Sequence, residues 1–135
     1  MITTYFMNLL ANYTLGGRRD TALPSPLYLG LSSTAPNLNG GNVREPSIGS
    51  ATGYARTALP QLSDAVNGTV VNEGMISMPE SVTAWGTMTH WVIFDAASGG
   101  HLLMYGQFAN PKSVSAQAAL SLRQGELELS VGQLV

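Results

Sequence analysis

The side chains from which this 135-residue chain could build acid–base, metal or nucleophilic chemistry are few: two histidines, eight carboxylates, one lysine and no cysteine. His90 and His101 show neither His-x-His nor His-Glu-x-x-His spacing, and a structural zinc site takes about four ligands. His90, between Thr89 and Trp91, therefore reads as a hydrogen-bonded strand residue, and His101 as a solvated turn residue. Asp64, Glu73, Glu80 and Asp95 are scattered. A glycosidase can assemble its two carboxylates from distant positions, but no spacing here singles out a pair. No serine stands in a Gly-x-Ser-x-Gly elbow, and Gly40-Gly41 lacks the lysine and hydroxyl residue that follow in a phosphate-cradling P-loop. The residues nominate no catalytic, cofactor-binding or metal-ligating position, and a non-enzymatic protein is expected.

Two charges stand where charge should be scarce. Arg56 ends Gly53-Tyr-Ala-Arg at the entry to a strand, and Asp95 closes an apolar run. A charge carried into a sheet is costly unless it is paired. Arg56 and Asp95 are therefore expected to form an internal ion pair, pinning the strand after a long loop to a central hairpin.

The elements that must position these residues are short strands. Residues 85–95 and 102–108 are rich in β-branched and aromatic side chains and flank Ala-Ser-Gly-Gly, the composition of a hairpin that is at least half buried. Trp85, Trp91 and Phe94 are expected to be packing residues. Further strand character lies at 27–33, 54–59, 75–79, 118–122 and 127–131, the last two joined by a turn at 123–126. Asn67-Gly68 marks a hairpin turn, because both residues tolerate positive φ. Pro111 is expected to open a loop.

Residues 34–52 are dense in Gly, Pro and Asn and read as a long irregular connection. Together with residues 16–26 they are the expected attachment surface, since loop backbone groups outside a ladder are free to serve a neighbour. Deleting residues 37–43 is accordingly expected to leave the fold intact. At the start, Ile2, Phe6, Leu9, Leu10 and Tyr13 recur at helical spacing between a threonine cap and Gly16-Gly17. This predicts one short amphipathic helix whose apolar face docks on the sheet of its own domain.

The pattern predicts a mainly β fold, an antiparallel β-sandwich or jelly-roll-like arrangement with a short N-terminal helix. It is read as one β-rich domain over 1–135: helix in 1–16, linker in 17–26 and β-sandwich in 27–135, with the long loop at 34–52. Charged residues make up only 10% of the chain, against about a quarter in ordinary soluble domains. A surface so poor in charge offers little resistance to association, and self-association is expected. The net charge of −2 and the single basic pair, Arg18-Arg19, argue against nucleic acid. The start has neither the basic region of a secretory signal nor an apolar span, so no membrane partner is expected, and the lack of cysteine is compatible with folding in a reducing cytoplasm.

The order of motifs resembles a family of small virion structural proteins of tailed bacteriophages, of the head-decoration, head-fibre or tail-fibre kind. The resemblance is carried by residues 26–36 (Pro-Leu-Tyr-Leu-Gly-Leu-Ser-Ser-Thr-Ala-Pro), Glu45-Pro46, Gly53-Tyr-Ala-Arg56, residues 85–96, residues 99–106 and Pro111-Lys112, and covers about residues 2 to 131. Trp91 and Met88 depart from the residues common there. The resemblance implies a non-enzymatic, many-copy virion component and, together with the charge-poor surface, a homotrimer. A capsid decoration protein on the capsid surface, bound to the major capsid protein, is the first expectation, because no collagen-like repeat or coiled-coil stalk is present. The alternative is a fibre module recognising a host-surface glycan.

Overall fold

The computed structural model describes residues 1–20 and 22–131. One helix, α1 (Thr4–Thr14), precedes eight strands: β1 (Tyr28–Ser32), β2 (Thr57–Ala58), β3 (Thr69–Val71), β4 (Ile76–Ser77), β5 (Gly86–Phe94), β6 (Leu102–Val114), β7 (Ser121–Leu122) and β8 (Glu128–Ser130). The protein is thus mainly β, antiparallel throughout its named sheets, with one short N-terminal helix. A four-stranded sheet in the order β2-β1-β5-β6 forms the main layer. Two separate ribbons, β3-β8 and β4-β7, take the place of a second continuous sheet.

The centre of the main sheet is β5. Its residues 91–94 are buried without a polar break, as in strands covered on both faces. Trp91 and Ile93 face one side with Leu29, Leu31 and Leu103, and Ile76, Leu122 and Leu129 of the two ribbons pack onto the same cluster. Val92, Phe94 and Leu102 face the other side, where Val43 of the long connection covers them. Fully burying side chains of this size contributes about 1.5–3 kcal/mol each. Trp85, Trp91 and Phe94 are all buried, as expected of packing residues.

The β5–β6 hairpin is pinned by an aromatic–glycine pair. Trp91 is opposite Gly106, and a Cβ built on Gly106 would lie 2.3 Å from the indole ring. The ring lies where a side chain at 106 would stand, so glycine is required there. On the outer edge of β6 the chain start adds a short extra ladder: Ile2 bridges Met104, and the Thr3 amide donates to Leu103 O at 2.9 Å. Thr3 also caps α1, accepting from the Phe6 amide at 3.3 Å. Residues 1–3 are therefore strand-like, and the helix expected over 1–16 is confined to Thr4–Thr14.

Two other expectations need correction. Pro111 opens no loop: β6 runs through it to Val114, because a register shift between Met88 and His90 leaves Pro111 where no ladder amide is needed. The turn expected at 123–126 does join β7 to β8, with Gly125 at positive φ, but the two strands do not pair with each other: β7 pairs with β4 and β8 with β3. Residues 54–59 and 118–122 contain only two-residue strands. Asn67-Gly68 does turn as expected, both residues having positive φ between Val66 and its bridge partner Thr69.

Candidate functional site

The densest polar cluster is built where the long connection meets β1. Arg56 grips Glu45 with two hydrogen bonds, Nε to Oε2 at 3.0 Å and Nη2 to Oε1 at 2.7 Å. The Tyr54 hydroxyl donates to the same Oε2 at 2.6 Å and accepts the Leu31 amide at 3.0 Å. β2 pairs only with Tyr28 and Leu29, so the hydroxyl supplies the partner that Leu31 would otherwise lack. Gly30 makes room for this: a Cβ there would be 2.7 Å from both Glu45 Oε2 and the Tyr54 oxygen.

Arg56 uses its remaining donor capacity on the hairpin. Nη1 donates to Ala96 O at 2.7 Å and Gly99 O at 2.8 Å, and the guanidinium sits 3.6 Å from the Phe94 ring centroid. Its side chain is only 4% exposed and that of Glu45 12%. Burial, reinforced by the Glu45 charge, pushes the Tyr54 hydroxyl well above its ordinary pKa, so it stays a proton donor. The carboxylate is already held by three donors, which suits it to fixing geometry rather than to moving protons.

The expected partner of Arg56 was wrong, although its role was right. Arg56 does pin the strand after the long loop to the central hairpin, but through Glu45 and two hairpin carbonyls rather than Asp95. Asp95 instead closes the β5–β6 turn: its Oδ1 accepts the His101 amide at 2.7 Å and its Oδ2 lies 3.2 Å from His101 Nδ1. Glu45 was the residue sequence reasoning missed. The available signal was the only carboxylate between Asp20 and Asp64, eleven residues before Arg56.

His101 is exposed, as expected of a turn residue, and its ring stacks on Tyr5 of α1 with centroids 4.1 Å apart. His90 bonds to the Thr89 hydroxyl at 2.7 Å, and partial burial pushes its pKa down. Lys112 pairs with Glu126, which lowers the carboxyl pKa of Glu126. Beside that pair, Ala109, Asn110, Arg123 and Gln124 line a shallow depression open to solvent. Among the described residues, no three His, Asp or Glu side chains converge as a metal site would need.

Of the two segments expected to form the attachment surface, the described residues of 16–26 are exposed apart from the half-buried Pro24, whereas 34–52 and the preceding helix differ in kind. The long connection is a cover, folded back on the sheet. Ser33 and Arg44 bond across it at 3.0 Å, Asn37 and Gly41 at 2.9 Å, and Leu38 O accepts the Thr4 amide at 2.9 Å. Several of its backbone groups are therefore engaged, and Val43, within the stretch 37–43 whose deletion is expected to spare the fold, packs half-buried on Val92, Phe94 and Leu102. α1 behaves in the opposite way. Phe6 packs against the core, yet no residue of the helix is buried, Leu9, Leu10 and Tyr13 are half-exposed, and Leu15 just beyond is 91% exposed. Docking on its own sheet uses only part of the apolar face. After the helix, Arg19 reaches back to Thr14 O at 3.1 Å and lies over the Tyr13 ring.

A family model described as Podophage GP4 fiber I protein gp80 matches residues 1–130. No curated protein matches the chain.

Proposed function

We propose, since the chain belongs to this podophage fibre I protein family, that it is a non-enzymatic structural subunit of a virion fibre. The match over residues 1–130 carries the reading, and it takes in every element described above. In this reading the rigid β5–β6 hairpin and its Glu45–Tyr54–Arg56 clasp give a stiff body. The subunit works as a homotrimer assembled in the host cytoplasm, binds no nucleic acid or membrane, and presents surface loops to a host-surface glycan. Capsid decoration through the major capsid protein is the second reading, favoured by one observation: the only helix among the described residues has 11 residues, too short for a stalk.

Phage particles lacking this protein separate the two. Loss of an appendage and of adsorption to host cells, with heads that withstand heating like the wild type, is the expected result. Intact appendages on heads that burst on mild heating would overturn the fibre reading in favour of decoration.

A further inference from the structure

We infer that the exposed face of α1 and the basic pair after it dock on the β3–β8 ribbon of a second copy of this chain. The inference deepens the homotrimer reading above by naming its interface. It starts from the half-exposed Leu9, Leu10 and Tyr13 and from Leu15, which is almost wholly in solvent. An amphipathic helix of this length is marginal by itself and needs its stripe covered.

Charge selects the occupant. Residues 1–19 contain Arg18 and Arg19 and no acid, whereas all eight acids and the other four basic residues lie from Asp20 onward. Among the described residues no carboxylate lies in ion-pair range of Arg18 or Arg19. The complementary patch is on the same chain. Val71 of β3 is opposite Glu128, its carbonyl accepts the Ser63 amide at 2.8 Å, and Glu73 follows two residues later. Asp64, Glu73 and Glu128 therefore lie around Val71, all exposed, and none of them forms an ion pair among the described residues. Nearby, Val66 and Val131 at the end of the ribbon are 69% and 53% exposed, offering apolar surface to receive the helix stripe.

A positive, apolar helix end and a negative, apolar ribbon are two different patches, and in a trimer, which has no two-fold axis between copies, each copy gives its helix to one neighbour and its ribbon to the other. Such head-to-tail contacts close into a ring when the rotation allows, here after three copies. The charges set register and partner choice, and the apolar contact supplies the affinity.

Charge exchange tests the pairing by sedimentation of the full chain. The Arg18→Glu/Arg19→Glu variant and the Glu73→Lys/Glu128→Lys variant should each dissociate at least tenfold more readily than the wild type. Carrying all four substitutions in one chain should restore association, whereas an equimolar mixture of the two defective variants, which cannot alternate around a ring of three, should recover it only in part. Circular dichroism matching the wild type shows that each variant is folded. Leu15→Ser, at a site with no packing in the monomer, should also weaken the oligomer. If both charge variants associate like the wild type, or if the fourfold variant fails to recover, the inferred interface is wrong. Incorporation of the wild-type chain into purified particles reports separately on the virion reading, which such a failure leaves standing.

Discussion

Tyr54→Phe removes one oxygen and leaves the ring in place. The ring is 1% exposed and packs edge-on against Trp85 with centroids 5.2 Å apart, so no cavity larger than a hydroxyl results. Two bonds disappear. The Leu31 amide, buried in β1, loses its acceptor at 3.0 Å, and Glu45 loses the donor at 2.6 Å. An unsatisfied buried amide costs about 1–3 kcal/mol, and a hydrogen bond to a charged group contributes about 1.5–3 kcal/mol. Arg56 still holds the carboxylate with two bonds, so the expected loss is about 2–4 kcal/mol. For a chain of this size each kcal/mol shifts Tm by roughly 4 °C. Thermal denaturation followed by circular dichroism should therefore show a fall of roughly 8–16 °C. A fall of under about 2 °C would mean that water replaces the hydroxyl, and would refute the claim that a sealed network completes the open end of β2.

Arg56→Ala strands Glu45 in a buried setting and should cost about 3–5 kcal/mol in urea unfolding, whereas Asp95→Asn, at the turn, should cost under about 1 kcal/mol; the reverse order would restore the originally expected pair. Phe94→Ala should cost about 3–5 kcal/mol and lose the platform under the Arg56 guanidinium, and an unchanged midpoint would show that the second face of the sheet is not packed. Gly106→Ala should cost at least about 1–3 kcal/mol by displacing the Trp91 ring, visible as a changed tryptophan emission; wild-type emission and stability would contradict the close approach. Both His90 and Glu126 have folded-state pKa values below their ordinary 6.5 and 4.5, so each contributes stability above its ordinary value that is lost as pH falls through its folded value. The urea midpoint should fall as pH drops below about 6.5 and again below about 4.5, and Lys112→Met should flatten the second fall; a midpoint that rises on acidification would contradict the sign.

The architecture was legible where it depends on local composition. The β5–β6 hairpin shows in its β-branched and aromatic runs, the Asn67-Gly68 turn in its two φ-tolerant residues, and α1 in its three- and four-residue apolar spacing. Long-range choices were not legible. Residues 118–122 and 127–131 are joined by a glycine turn as their composition predicts, yet the strands join different ribbons, and nothing local encodes a partner some 50 residues away. The Arg56 pairing failed for the same reason. Its position announced a need for a counter-charge, but the choice between Glu45 and Asp95 depends on how the long connection folds over Gly30. That connection itself was read as open because Gly, Pro and Asn mark irregular backbone; they do not distinguish a loop in solvent from one laid over Val92 and Phe94.

Electron cryomicroscopy of intact particles tests the virion assignment most directly, because it locates the subunit and counts its copies together. Density matching the four-stranded sheet with α1 at its β6 edge, repeated three times in an appendage, is the expected result. Its absence from the appendages, or particles in which the chain is not found at all, would contradict a fibre subunit.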